Sequence, residues 1–342
     1  MSAPSARAKQ PSRGLIPRDG TPLERRVAIF GIAAFVVGSA VWIGFKGLFI
    51  QTDTVVLWVL AGLFALTLTD LNRWGLQLFW DWLPLGALLI FYDQSDQLVK
   101  WLHTPLHTAL QVHFDEFIFG KPLLTVHLQH LFHQTKAVRW WEFPMWGIYM
   151  THFFMALVVA GLLWRFNYPR FRQFRAPLIV LSTLGFATYV LYPAAPPWYL
   201  DQRLHELPMI YRTVFETWSK VGLHTAGSIA DGIIEGNSLG NQTAAVPSMH
   251  AAISLFVACF FWRGARWWLR VILVAYVLAM AFMLVYSGEH YFFDVVVGWF
   301  YTVVVVSGFA LWRRYRPPPS VPATTLDGQE PAVGEARVPI AS

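Results

Sequence analysis

The residues from Trp267 to Trp312 read WWLRVILVAYVLAMAFMLVYSGEHYFFDVVVGWFYTVVVVSGFALW. They contain two apolar runs, Trp267–Ser287 and Tyr291–Trp312, and each is long enough to cross the hydrocarbon of a bilayer as a helix. Only a short polar link, Gly288-Glu289-His290, separates the two runs. This pattern predicts a pair of membrane helices with ionisable residues at the point where they meet.

Six further charge-poor apolar runs lie upstream. They are Val27–Phe45, Thr54–Thr69, Trp74–Tyr92, Phe143–Trp164, Ala176–Pro193 and Ala244–Trp262. Thr54–Thr69 is the weakest of the set, and Asp81 interrupts the third run. Together the runs predict an all-α fold, a polytopic membrane helix bundle of about eight transmembrane helices with a core of six.

Composition supports a membrane protein and excludes several other classes. Of 342 residues 56% are hydrophobic and only 13% are charged, which is unlike either a soluble globule or a disordered chain. The 17 Trp residues suit rings placed at membrane interfaces. The single cysteine, Cys259, excludes an intramolecular disulfide scaffold and a thiolate metal site, and we interpret it as a small buried apolar residue.

The distribution of basic residues predicts the topology. If all the runs cross, one set of connections holds 17 Lys and Arg residues close to the run ends: Arg7, Lys9, Arg13, Arg18, Arg25, Arg26, Arg73, Arg165, Arg170, Arg172, Arg175, Arg263, Arg266, Arg270, Arg313, Arg314 and Arg316. The other set holds eight, in longer segments: Lys46, Lys100, Lys121, Lys136, Arg139, Arg203, Arg212 and Lys220. We therefore predict a multi-pass protein of the cell membrane with both termini cytoplasmic, and no nucleic-acid partner.

The same pattern predicts three parts along the chain. Residues 1–26 form a basic disordered tail, residues 27–316 the membrane domain with a catalytic part at about 143–312, and residues 317–342 a disordered tail rich in Pro and Ala.

The predicted topology places the starts of the sixth and eighth runs and the end of the fifth run, Tyr192–Trp198, at the outer interface, and ionisable residues lie at the first two. His290 and Asp294 are four residues apart, so on a helix the carboxylate can accept a hydrogen bond from one imidazole nitrogen and leave the other available as a nucleophile or base. Pro247-Ser248 is typical of a helix start, whose N–H groups suit a phosphate, and His250 in the first turn can protonate a leaving oxygen. A structural His/Asp pair and a capping serine are the alternative interpretations.

These residues carry a family resemblance. Pro-Ser-x-His at 247–250 and His-Tyr-x-x-Asp-x-x-x-Gly at 290–298 resemble the type 2 phosphatidic acid phosphatase (PAP2) superfamily. The block Tyr-Pro-Ala-Ala-Pro-Pro-Trp at 192–198 is similar to the branch that contains fungal inositol phosphorylceramide synthase, an inositolphosphotransferase, and actinobacterial relatives. The resemblance covers approximately Trp82 to Trp312.

The resemblance implies a mechanism without metal or other cofactor. In that family the histidine of the last motif attacks a phosphoryl group, an aspartate orients it, and the histidine of the middle motif protonates the leaving group. Carried over by motif position, these residues are His290, Asp294 and His250, with Ser248 near the phosphate. Tyr192 and His152 are further candidates to line the site.

Two cationic ligands of the wider family are missing from their usual places. The first motif, a lysine followed seven residues later by Arg-Pro, is absent, and Leu284 occupies the position of the arginine that usually precedes the nucleophile. Arg203 and Arg212 lie on the predicted outer side and are candidate substitutes. Glu289 adjoins the nucleophile, where a carboxylate repels a phosphate unless it is protonated or turned away.

Sequence leaves several functions open. We predict phosphoryl transfer on a membrane lipid at the outer face, with water as acceptor in a phosphatase or an alcohol in a phosphotransferase. The alternatives are a transporter or flippase that uses the His/Asp groups as a proton relay, and a membrane scaffold. A metal site is a minor hypothesis for the histidines of the first long outer segment: His103, His107, His113, His127, His130 and His133.

Overall fold

The computed structural model describes residues 21–46, 52–68, 71–201, 209–214, 217 and 243–315. Most of the first predicted tail and all of the second lie outside these ranges, as does Arg203. Within the described residues the chain forms helices and no named strand. The helices are α1 Pro22–Lys46, α2 Thr52–Thr67, α3 Leu71–Leu102, α4 Ala109–Phe119, α5 Leu124–Phe132, α6 Glu142–Phe166, α7 Tyr168–Leu191, the short α8 Pro197–Tyr199, α9 Met249–Trp262, α10 Trp267–Tyr286 and α11 Phe292–Tyr315.

The apolar runs are helical, which confirms the predicted fold class. Five of these helices, α1, α6, α7, α10 and α11, are long and apolar enough to cross a membrane. The three remaining runs form shorter apolar helical stretches, Thr54–Thr67, Leu76–Tyr92 and Met249–Trp262. The chain is therefore a polytopic helical bundle.

Helix boundaries differ from the apolar runs where local chemistry intervenes. α9 begins at Met249 and not at Ala244, because Ser248 caps it and its side chain accepts a hydrogen bond from the Ala251 N–H. α7 begins at Tyr168, upstream of the apolar run, because Asn167 caps it and a proline occupies its first turn. Hydropathy reports which residues enter the hydrocarbon, whereas caps set where the helix begins.

Two apolar clusters hold the bundle together. One joins α2, α3, α6, α7, α9 and α11, and the fully buried Trp164, Phe171 and Phe174 are among its members. The other packs α10 against α6, α9 and α11 through residues such as Met280 and Leu284. α6, α7, α9, α10 and α11 therefore surround the volume where the candidate residues lie.

The outward faces of the long helices are apolar. Val36, Leu162, Ile272 and Val303 are each about half exposed or more, with exposures of 58%, 51%, 54% and 53%. Apolar surface on this scale is unfavourable in water and favourable against lipid tails. The exposure pattern thus agrees with a bundle that faces hydrocarbon on its outside.

Asp81, the charged residue inside the third run, holds three helices together. Its carboxylate accepts hydrogen bonds from Trp164 Nε1 at 2.9 Å and Tyr168 Oη at 3.2 Å, and it forms an ion pair with Arg175 at 2.6 Å. Asp81 is therefore a structural hydrogen-bonding group, because all these partners are protein groups on α6 and α7.

Candidate active site

Backbone pairing brings distant segments to one end of the bundle. The segment after α7 runs between two others: the His107 N–H donates to the Pro193 carbonyl at 2.8 Å, and the Ala245 N–H donates to the Ala194 carbonyl at 3.1 Å. The residues that precede α9 are thereby held beside the Tyr192–Trp198 block, as charge counting predicts.

A close helix contact joins the two motif segments. The Ser248 N–H donates to the Asp294 carbonyl at 3.0 Å, and the Thr302 hydroxyl donates to the Ala252 carbonyl at 2.8 Å. A Cβ atom at Gly298 would collide with the Ser248 carbonyl oxygen. The glycine of the second motif is therefore required for the approach that places the two motifs together.

The His290 imidazole is held by Asp294. Its Nδ1 lies 3.2 Å from Asp294 Oδ2, which also accepts the Tyr291 N–H at 3.0 Å. The carboxylate is fully buried and the histidine is 6% exposed. With Nδ1 engaged, Nε2 is the nitrogen left for chemistry.

His250 and His152 lie against each other beside this pair. The two rings stack with centroids 3.7 Å apart, and His250 lies 5.7 Å from the His290 ring. Tyr149 stacks on His250 at 4.9 Å. Among the described residues, His250 Nε2 and His152 Nδ1 are buried without a hydrogen-bond partner, as is Asp294 Oδ1. Buried polar atoms of this kind mark a place where a ligand or water is expected.

Ser248 lies at the N-terminus of α9 and is fully buried. Its hydroxyl accepts a hydrogen bond from the Ala251 N–H, and its own N–H donates to the Asp294 carbonyl. Of the next N–H groups in this first turn, where a helix has no internal acceptors, that of Met249 donates to the Tyr189 hydroxyl and that of His250 follows it. The helix start therefore retains anion-binding character even though the serine acts as a cap.

Tyr192 lies at the edge of this group. Its ring stacks on His107 with centroids 4.0 Å apart and an interplanar angle of 6°. Burial raises the pKa of the Tyr192 hydroxyl, and the negative charge of Asp294 raises it further. The tyrosine is therefore neutral at physiological pH and serves as a hydrogen-bonding group and not as an anion.

Arg212 and Glu289 form a bidentate ion pair next to the candidate nucleophile. Arg212 Nε donates to Glu289 Oε1 at 2.8 Å and its Nη2 donates to Oε2 at 3.1 Å. The guanidinium also lies 4.0 Å over the Trp198 ring. The Glu289 carboxylate is therefore paired with a cation. This pairing removes the repulsion between the carboxylate and a phosphate that its place in the sequence suggests.

Leu284 occupies the family position of the arginine, and its surroundings are apolar. Its side chain is fully buried in the apolar cluster of α10, while its carbonyl accepts the N–H groups of Glu289 and His290, both at 3.1 Å. A charged group in that apolar environment is costly. Arg212 approaches from a different segment, and Gly288, with φ of 73°, lies where a Cβ would meet Ile210 in that segment.

Sequence reasoning missed three polar residues that build the walls of the site. Gln129 Nε2 donates to the carbonyls of Tyr211 and Tyr286, each at 2.8 Å, and Glu142 accepts the Tyr286 hydroxyl at 2.6 Å. Asp115 accepts the first N–H groups of α11. The only signal in the sequence is that each is a polar residue within an otherwise apolar helical pattern.

The six histidines between residues 103 and 133 do not gather into one group. His107 stacks on Tyr192, and His133 stacks on Tyr211 with centroids 4.3 Å apart. Nowhere in the part of the chain that the structure describes do three or more His, Cys, Asp or Glu side chains form a group able to hold a metal ion.

The arrangement brings together the buried His290–Asp294 pair, a second imidazole at His250 and the start of α9. These are the parts required for group transfer through a histidine. Arg212 is ion-paired with Glu289, the residue that precedes His290.

Comparison with known proteins agrees with this chemistry. Residues 121–308 match the PAP2 superfamily. Phosphoinositol dihydroceramide synthase of Bacteroides thetaiotaomicron is 30% identical over 228 residues, which cover 63% of this chain and 71% of that protein. No solved structure matches the chain.

Proposed function

Because the chain belongs to the PAP2 superfamily, we propose that it transfers a phosphoryl group from a membrane lipid phosphate or phosphodiester through a phosphohistidine on His290, at the outer face of the membrane. The family supports an enzyme of the lipid phosphatase and phosphotransferase class. The observation that carries the finer proposal is the buried His290–Asp294 pair with His250 beside it.

In the first step, the His290 Nε2 lone pair forms a bond to phosphorus while the bond from phosphorus to the leaving oxygen breaks. Protonated His250 gives its proton to that oxygen, so the leaving group departs as an alcohol, or as a singly protonated phosphate when the donor is a diphosphate. Asp294 stabilises the positive charge that develops on the His290 ring. The first turn of α9 donates hydrogen bonds to the phosphoryl oxygens.

In the second step, His250 is neutral and acts as the base. It takes the proton of the acceptor hydroxyl while the acceptor oxygen forms a bond to phosphorus and the bond between phosphorus and nitrogen breaks. This restores both histidines. Water as acceptor gives a phosphatase, and a lipid or polyol hydroxyl gives a phosphotransferase.

We assign the cationic role at the phosphate to Arg212. Its guanidinium is oriented by Glu289 and by Trp198, and its side chain is only 14% exposed, so its charge is weakly screened. Arg212→Ala is expected to raise KM for a phosphate lipid about tenfold or more, and Arg212→Lys is expected to recover only part of the loss because it lacks the bidentate fork. An unchanged KM in both variants would remove this residue from the site.

The named relative favours the phosphotransferase branch of the proposal. Its name describes the synthesis of a phosphoinositol dihydroceramide. For this chain we therefore propose phosphatidylinositol as the first donor to test, with a ceramide-type alcohol as acceptor, and lipid monophosphates as the competing substrates of a phosphatase.

The test is phosphorus NMR of the purified full-length protein with phosphatidic acid, a lipid diphosphate and phosphatidylinositol, each with and without the ceramide acceptor and in the presence of a chelator. A new phosphodiester or free phosphate is expected with wild type and not with His290→Ala. His250→Ala is expected to lower turnover about a hundredfold or more. The matched control is His130→Ala, because His130 is an exposed histidine of α5.

Each result has a definite reading. Turnover that survives in His290→Ala refutes the phosphohistidine. The phosphohistidine is supported directly if acid-free quenching traps a phosphorylated form of wild type and no such form of His290→Ala. Turnover that the chelator abolishes contradicts the proposed independence from metal.

The orientation has a separate test. The chain has one cysteine, so Cys259→Ala provides a background in which single cysteines are introduced at His130 or Arg314. A membrane-impermeant maleimide is expected to label the first in intact cells and the second only after permeabilisation. The opposite pattern would place the site on the cytoplasmic side.

The position of the ionisable groups favours an enzyme over a proton-relay transporter. His250 is the second residue of α9 and His290 precedes α11, so both lie at helix ends, whereas transporter sites lie near the bilayer midplane. The transporter would be favoured if the protein moved a labelled lipid across vesicle membranes without chemical change to the lipid, and if this transport required both histidines.

A further inference from the structure

We propose that Asp115, on helix α4, is a positioning residue for the His290–Asp294 pair, because its carboxylate holds the start of the helix that carries the pair. This inference rests on the proposed function for its kinetic part. Its structural part stands on contacts alone.

The N-terminus of α11 has no cap of its own for its first N–H groups. A helix start leaves these donors without internal acceptors, and a Ser, Thr, Asp or Asn cap residue normally accepts one of them. Here the residue before α11 is Tyr291, whose side chain cannot cap. Asp115 takes this role from another helix, accepting the Phe292 N–H at 2.9 Å and the Phe293 N–H at 3.0 Å.

Asp294 completes the same helix start. Its Oδ2 accepts the Tyr291 N–H as well as the contact from His290 Nδ1. The carboxylate that orients the nucleophile is therefore itself part of the cap, three residues into the helix. Any shift of the first turn of α11 moves Asp294 relative to His290.

Aromatic contacts fix α4 in place around this carboxylate. Phe114 meets Phe293 with ring centroids 5.2 Å apart, and Phe119 meets Phe292 at 5.1 Å. Asp115 lies between them and is fully buried. Burial of a carboxylate costs free energy unless it is hydrogen-bonded, and the two N–H donors of α11 offset this cost.

The chemistry explains why such a restraint matters. Attack on phosphorus requires the nucleophilic nitrogen to be aligned to a fraction of an ångström, and small displacements reduce rates strongly while they leave substrate binding nearly unchanged. We therefore expect loss of Asp115 to reduce kcat and to spare KM.

The experiment uses the full-length protein reconstituted in vesicles, with phosphatidylinositol and phosphatidic acid as probes. Asp115→Asn keeps the shape and one acceptor, and it is expected to lower kcat about tenfold with KM within about twofold. Asp115→Glu, which restores the carboxylate on a longer side chain, is expected to recover part of kcat. Glu116→Gln is the matched control, because Glu116 pairs with the exposed Lys121 at 3.3 Å.

Amide hydrogen exchange of a peptide covering residues 289–297 provides the second readout. Faster exchange in Asp115→Asn than in wild type, together with the fall in kcat, supports the proposal. Faster exchange with unchanged kcat identifies a structural cap only and overturns the positioning role, and unchanged exchange overturns the cap itself. If wild type turns over neither lipid, the proposed function has failed for these lipids, and the exchange result still tests whether Asp115 holds the helix.

Discussion

Replacement of Asp294 by Asn is the most direct test of how the site works. Asn has the same shape, and its oxygen can accept both hydrogen bonds that reach Oδ2, from His290 Nδ1 at 3.2 Å and from the Tyr291 N–H at 3.0 Å. The position of Oδ1 carries no hydrogen bond among the described residues, so the amide nitrogen displaces none. The substitution therefore removes the charge and leaves the local geometry intact.

The size of the effect follows from the distance. In the proposed mechanism, attack on phosphorus places about one positive charge on the His290 ring, roughly 4 Å from the carboxylate, and two such charges interact by about 4 kcal/mol at an effective dielectric constant of about 20. About 4 kcal/mol corresponds to a thousandfold or so in kcat, because about 1.4 kcal/mol equals a factor of ten.

Single-turnover formation of the phosphorylated protein measures this step in isolation. Asp294→Asn is expected to lose about a thousandfold in that rate and to keep its thermal unfolding midpoint. Glu116→Gln, a charge-removing change at a surface ion pair, is expected to keep wild-type rates. An Asp294→Asn protein that reacts within about tenfold of wild type would refute electrostatic stabilisation by this carboxylate.

Three further predictions concern packing, buried charge and pH. Asp81→Ala leaves the partly buried Arg175 without its carboxylate, and we expect chemical denaturation in detergent to show a loss of about 3 kcal/mol with activity per folded molecule unchanged. Gly298→Ala places a methyl group against a backbone carbonyl and is expected to destabilise the protein by about 1–3 kcal/mol and to reduce turnover, whereas Gly308→Ala, where a Cβ meets nothing within 4 Å, is expected to have little effect in the same assays. Burial raises the pKa of Asp115 from 3.8 to about 6, so its folded form binds the proton more tightly than the unfolded form. The contribution of Asp115 to the free energy of unfolding is fully present below about pH 4 and is lost as the pH rises through about 6, by at most about 3 kcal/mol. Denaturation of wild type and of Asp115→Asn at both ends of this pH range is expected to show that difference.

Much of the site was predictable because the information is local in the chain. His290 and Asp294 are one helical turn apart, so their contact needs only the helix that the apolar run predicts. Charge counting predicted that the ends of α7, α9 and α11 meet on one face, and backbone hydrogen bonds among the described residues join them. His152 was a candidate from its depth alone, and its stacking on His250 could not be predicted because ring positions depend on helix rotation.

The sequence alone predicts the membrane fold, the topology and the candidate catalytic residues, from eight apolar runs, their flanking charges and three ordered motifs. These features are readable in the sequence because the transfer of each run into lipid and each capping signal act over a few consecutive residues. The partners of those residues were decided by tertiary structure. Arg212 meets Glu289 across 77 residues, Gln129 meets Tyr286 across 157, and Asp115 reaches α11 across 177. Such contacts have no periodic signal, because they depend on how separate helices pack, and that packing is settled only when the whole bundle forms.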